Sequence, residues 1–304
     1  MEPFRLHILG CGSALPTLRH FPTIQVVECR GKLYMVDCGE GAQIQMRQAR
    51  LPFTKLGHIF ISHLHGDHCF GLIGMLSTFG LLGRTATMHV YADKALGDIL
   101  QQQTDFFCRD LGYEIAFHPI DTTRHQVIFE DHSLQVETLP LEHRMPCCGF
   151  LFREKPALPH IRRDMIDFYE IPVSQIPRIK AGADYELPDG SIVANSRLVK
   201  PAEPPRAYAY VSDTRFMPQL HEQLKGVTTL YHESTYAEDN LAMAEKYFHS
   251  TARQAATVAL QASVNQLLLG HYSSRYEDER VLLDEACSIF PSSRLTREMD
   301  VIDI

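Results

Sequence analysis

Residues 63 to 68 read His-Leu-His-Gly-Asp-His, and no other feature constrains this 304-residue chain as much. Three imidazoles and a carboxylate in six residues serve no packing purpose, because buried polar groups cost free energy unless something pairs with them. They are, however, the donors that zinc and its neighbours take. Just before them, His58-Ile59-Phe60-Ile61-Ser62 is apolar and β-branched, and reads as a strand covered on both faces. The hexapeptide thus starts where a strand ends. A two-residue period points His63 and His65 the same way, so one ion can take both. Gly66 permits a sharp turn, from which Asp67 and His68 project toward a second ion. Residues 70 to 82 then read as a buried helix.

Four ligands are too few for two ions. Three other positions have an acid or histidine just past an apolar run: His143 after Leu134–Leu139, Asp213 after Tyr208–Val211, and His271 after Gln266–Gly270. In sheets flanked by helices, sites gather at the carboxyl ends of strands. Each residue alone is more simply a surface group beyond a strand. Together with the hexapeptide they complete two coordination shells.

In this order the motifs resemble the ribonuclease Z family of the metallo-β-lactamase superfamily. The matching segments are Leu9–Pro16, Val36–Gly41, Ser62–His68, Leu141–Arg144, Ser212–Arg215, His232–Thr235, His249–Thr251 and Leu269–Ser273. The metal motif alone carries only the superfamily; His-Glu-Ser-Thr, His-Ser-Thr and Gly-His-Tyr-Ser-Ser-Arg narrow it. The resemblance implies a zinc-dependent endoribonuclease that removes the 3′ trailer from precursor tRNA and leaves a 3′-hydroxyl. It implies two Zn2+ per chain, with His63, His65 and His143 on one ion, Asp67, His68 and His271 on the other, and Asp213 bridging. Asp67 would act as base. His249 would protonate the leaving ribose oxygen, by likeness to the family's His-Ser-Thr motif; otherwise it merely precedes a helix capped by Ser250 or Thr251. Glu233 either orients a histidine from behind or caps a helix. A homodimer is also implied. The alternatives are a small-molecule phosphodiesterase or sulfatase of the same superfamily, and an RNA-binding relic without catalysis.

Strand and helix patterns alternate in two similar halves, which fits an α/β fold: a four-layer αβ/βα sandwich of the metallo-β-lactamase type. Residues 1–150 and 206–304 are read as its catalytic domain. Residues 151–205 do not fit; they carry eight prolines and two glycines, a density that prevents long helices and central strands. They read as an inserted arm, which the resemblance makes a candidate tRNA-binding exosite. Two segments depart from the family pattern: Ile171–Lys180 lacks a glycine-proline hairpin, and Leu15–Pro22 lacks the Pro-x-Lys-x-Arg-Asn form.

The net charge of −8 argues against a nonspecific nucleic-acid binder. Residues 151–205 balance eight Lys or Arg against eight Asp or Glu, so the acid excess lies in the core. Arg162-Arg163 and Arg178–Lys180 are local basic spots that could meet phosphates. No run of about 18 apolar residues predicts a membrane span, and the first residues show no signal peptide. The eight cysteines are scattered without a Cys-x-x-Cys pair, which suits a reducing cytoplasm. Cys147 and Cys148 read as small packing residues rather than ligands.

Overall fold

The computed structural model describes residues 3–304. Strands β1 (Phe4–Gly10), β2 (Ile24–Cys29) and β3 (Lys32–Val36) form an antiparallel meander. Strands β4 (Leu56–Phe60), β5 (Met88–Asp93) and β6 (Ile115–Ile120) continue the sheet in parallel. Helices Ala42–Gln48, Leu72–Leu81 and Ala95–Phe107 intervene. The chain then starts a second sheet with β7 (Val127–Glu130), β8 (Leu134–Leu141) and β9 (Cys147–Glu154).

Residues 154–205 make a compact unit of their own. It contains the two-residue strands β10 (His160–Ile161), β11 (Tyr185–Glu186), β12 (Ile192–Val193) and β13 (Val199–Lys200), paired β10 with β13 and β11 with β12. Its helices, Arg163–Phe168, Ile176–Lys180 and Asn195–Leu198, are short. Ile171, Ile179, Val193 and Leu198 form its small core.

The remainder returns with β14 (Ala207–Val211), β15 (Thr229–Glu233), β16 (Gln266–Gly270), β17 (Ser293–Leu295) and β18 (Val301–Asp303). Among the described residues the two large sheets have seven strands each, in the orders β18-β1-β2-β3-β4-β5-β6 and β17-β16-β15-β14-β9-β8-β7. The α/β sandwich expected from the sequence is therefore the fold. Inner strands such as β14 and β16 read as nearly continuous apolar runs because both faces are covered. Along β4, Phe60 joins the core shared with Phe150 and Phe152 of β9, and its neighbour Ile59 joins the core under the helices with Leu72, Met75 and Phe79. Phe60 meets the Phe152 ring edge-on at 5.7 Å. Burying each such side chain contributes about 1.5–3 kcal/mol.

Two local expectations need correction. The strand read over residues 58–62 ends at Phe60, because the Ser62 N–H leaves the ladder for Asp37 Oδ1 at 2.7 Å. His63 and His65 therefore do not sit on a strand. Asp67 and His68 lie on a short helix, Gly66–Cys69, rather than on a simple turn. Among the described residues, no helix is long and apolar enough to cross a membrane, and no disulfide joins any two cysteines.

Candidate metal centre

The strands deliver the ligand-type residues from one kind of position. The hexapeptide follows β4, His143 follows β8, Asp213 follows β14, and His271 follows β16. Each is where a sheet stops satisfying the backbone and side chains converge instead. Gly39 makes the approach close: a Cβ there would lie 2.6 Å from the Asp67 carbonyl oxygen.

Two donor groups result. In the first, His65 Nδ1 lies 3.0 Å from His63 Nε2 and 3.2 Å from His143 Nε2. Three imidazole nitrogens facing one another cannot all be satisfied by protons, but a cation at their centre satisfies them. In the second, Asp67 Oδ2 lies 3.3 Å from His68 Nε2 and 3.4 Å from His271 Nε2. Asp213 spans the two. Its Oδ2 faces His63 Nε2 at 3.7 Å and His143 Nε2 at 3.8 Å, while Oδ1 faces His271 Nε2 at 3.2 Å and His68 Nε2 at 3.6 Å. His68 Nε2 and Asp213 Oδ1 are buried without a hydrogen-bond partner. Orphaned buried donors and acceptors are costly, and an ion relieves both. The seven residues singled out in the sequence thus come together, and as a set they fit zinc.

A second layer fixes the inward-facing nitrogens. The Asp37 carboxylate accepts from His68 Nδ1 at 2.7 Å, from Ser62 Oγ at 2.9 Å and from Tyr210 OH at 2.5 Å. Ser62 Oγ, having given its proton to Asp37, accepts from His63 Nδ1 at 3.1 Å. His143 Nδ1 donates to the Phe248 carbonyl at 2.9 Å. Thr235 Oγ1 donates to Glu233 Oε2 at 2.7 Å and accepts from His271 Nδ1 at 2.8 Å. In all four histidines the outer nitrogen carries the proton, which leaves Nε2 free for a cation. Asp37 and His271 hold left-handed backbones, with φ of 55° and 61°, and such strain collects at functional sites.

Electrostatics agree with this layout at His63, His65 and His143, whereas at His68 burial is outweighed by Asp67, Asp37 and Asp213, which favour its charged form until a cation takes the place of the Nε2 proton. Burial, with neighbouring imidazoles, pulls His63 well below its ordinary value. His65 and His143 are also lowered, chiefly by burial. Burial works against ionising Asp67, but His68 and His271 outweigh it and hold the carboxyl far below the usual range.

His249 lies at the rim. Its Nδ1 is 3.0 Å from Glu233 Oε1 and 4.0 Å from Asp213 Oδ2. Burial opposes its charged form, yet Glu233 and Asp213 prevail and push it up to about 9. Glu233 also accepts from the backbone N–H groups of Thr214, Ser250 and Thr235, so it orients a histidine rather than capping a helix. The cap belongs to Thr251, which forms a reciprocal box with Gln254 on the helix Ala252–Ala262. An open cleft of about 610 Å³ is lined in part by His143, Arg144 and Phe248. The Arg144 guanidinium stacks over Tyr247 at 5.3 Å, and that of Arg215 over Phe248 at 4.8 Å.

Sequence reading passed over the individual roles of Asp37, Ser62 and Thr235. Asp37 did carry a signal, since it follows the apolar strand β3 just as Asp213 follows β14. Cys147 and Cys148 are buried, and Cys147 Sγ donates to the Asp213 carbonyl at 3.4 Å.

A family model described as Anti-Pycsar protein Apyc1 matches residues 4–157. The ribonuclease Z of Bacteroides fragilis is 58% identical over 298 residues, covering 98% of each chain. That of Porphyromonas gingivalis is 49% identical over the full length of both. Among solved structures, human tRNase Z, short form, aligns with a TM-score of 0.71 at 22% identity, covering 99% of each chain. A metallo-beta-lactamase fold protein from Bacillus subtilis aligns at 0.68 and 18% identity, covering 99% of this chain and 100% of its own.

Proposed function

The chain belongs to the ribonuclease Z family, and its residues 4–157 to the family described as Anti-Pycsar protein Apyc1; from this and the site we infer a metal-dependent endoribonuclease that processes the 3′ end of precursor tRNA. The observation that carries the metal part is Asp213, which offers one carboxylate oxygen to each of two donor groups. His63 Nε2, His65 Nδ1 and His143 Nε2 would hold one zinc, Asp67 Oδ2, His68 Nε2 and His271 Nε2 a second, and Asp213 both. When bound, such a pair neutralises charge on the phosphoryl oxygens and makes water a nucleophile near neutral pH.

The chain's own groups do the rest. Asp67 orients the attacking water and takes its proton. The outer nitrogen of His249 is held by Glu233, so the opposite nitrogen, Nε2, delivers a proton to the leaving ribose 3′ oxygen. The Arg144 and Arg215 guanidinium groups, planar and permanently charged, suit flanking phosphates. Residues 151–205 are proposed to grip the body of the tRNA through Arg162-Arg163 and Arg178–Lys180. The exposed Leu81, Phe106 and Phe107 around a hollow of about 390 Å³ support a homodimer. A cytoplasmic setting is supported by the cysteines, none of which is in a disulfide among the described residues.

The test is one end-labelled precursor tRNA, incubated with and without a chelator. A trailer released with a 3′-hydroxyl on the tRNA, only when metal is present, is the expected result. Cleavage unaffected by chelation would sink the two-ion reading, and an uncut precursor alongside rapid hydrolysis of a small diester would sink the tRNA assignment.

A further inference from the structure

Apart from the centre described above, three donors from two segments meet where the loop after β1 lies against the C-terminal segment. Cys11 Sγ is 3.3 Å from His20 Nδ1 and 3.5 Å from Glu298 Oε1. His20 Nδ1 is 3.0 Å and 3.3 Å from the two Glu298 oxygens. Zinc bonds of about 2.0–2.3 Å at tetrahedral angles place donor atoms about 3.4–3.6 Å apart. An ion therefore fits among these three atoms with adjustments of a few tenths of an ångström. The Thr296 carbonyl oxygen, 3.6 Å from Cys11 Sγ, is a nearby fourth donor.

The surroundings have the form of a metal site. A metal-bound histidine usually donates its other ring N–H to a carboxylate. Here His20 Nε2 lies 3.2 Å from Glu279 Oε1, which Arg19 balances at 3.3 Å. Cys11 is fully buried, while the His20 and Glu298 side chains stay 13% and 16% exposed, which leaves an entry path.

We propose that Cys11, His20 and Glu298 form a further, structural zinc site, with Glu279 orienting His20. Thiolate beside imidazole selects zinc over magnesium or calcium. The ion ties the loop carrying Cys11 and His20 to the C-terminal segment carrying Glu298. It does so beside Tyr272, whose N–H donates to the Cys11 carbonyl at 3.0 Å and which directly follows His271. Before loading, burial and Glu298 keep the Cys11 thiol protonated, and the Glu298 hydrogen bond favours the charged form of His20. Zinc entry therefore releases two protons to solvent, one from Sγ and one from Nδ1. The competing arrangement has no ion: an imidazolium His20 held between Glu279 and Glu298.

Cobalt(II) separates the two on the full-length protein, stripped of metal and reloaded. The histidine–aspartate ligand set contains no thiolate, so a sulfur-to-cobalt charge-transfer band in the near ultraviolet reports a cysteine ligand, and its loss in Cys11→Ser assigns it to Cys11. The expected result is a band in the unaltered protein, none in Cys11→Ser, and at least tenfold weaker cobalt binding at this band in Glu298→Gln. A wild-type protein without the band, or a band that survives in Cys11→Ser, overturns the site. If Cys11→Ser folds poorly, Glu298→Gln decides alone: unchanged affinity at the band overturns it equally.

Discussion

At the scale of single residues, Asp67 carries the heaviest load in the proposed mechanism, where one carboxylate is both a ligand beside His68 and His271 and the proton acceptor. Asp67→Ala is expected to cut the rate on precursor tRNA by about 10²–10⁴-fold or more, while a far-ultraviolet spectrum stays unchanged. Asp37 works one step back. Asp37→Asn keeps the shape but weakens the bond to His68 Nδ1, and metal affinity should fall about 10–100-fold, read by chelator competition. In the proposed mechanism Glu233 sets the pH response through His249, the proton donor. The donor must be protonated, so activity is present at lower pH and is lost as pH rises through about 9. Glu233→Gln removes the carboxylate that raises this value, so the alkaline limb of kcat/KM should move to lower pH. An unmoved limb would show that His249 is not the acid.

At the scale of elements, the arm leaves and rejoins the core at neighbouring points. Strands β9 and β14 pair antiparallel, with Arg153 opposite Ala207. Replacing residues 156–203 by a short glycine-serine linker should therefore spare the sheet. The expected outcome is a raised KM for precursor tRNA with unchanged hydrolysis of a small phosphodiester. Equal damage to both substrates would make the arm structural rather than a grip. Most core elements were readable because a strand covered on both faces is a continuous apolar run and an amphipathic helix keeps its stripe. Boundaries were less so: β4 stops two residues before the expected end because Asp37, 25 residues away, captures the Ser62 N–H, and no local pattern announces that.

At the scale of the whole molecule, the centre stitches both sheets together, since its donors follow strands of each. It also gathers five buried or half-buried histidines with two acids. Metal should therefore stabilise the folded state, by the logarithm of its concentration over its dissociation constant. Chelation should lower Tm by several degrees, and added zinc should restore it; an unchanged Tm would show that the donors gain nothing from ions. The amino-acid order alone marked the four hexapeptide donors as candidate ligands and determined the alternation of elements, because a hexapeptide of donors and the apolar periodicities are local properties. Tertiary structure decided everything that depends on distant partners. It put Asp213 between two donor groups, and it set Glu233, 16 residues from His249, as the anion that charges it. It also brought Asp37 to Tyr210 across 173 residues, and Cys11 to Glu298 across 287. Coordination and proton transfer act over about 2–4 Å in space, and separation along the chain carries no record of that distance.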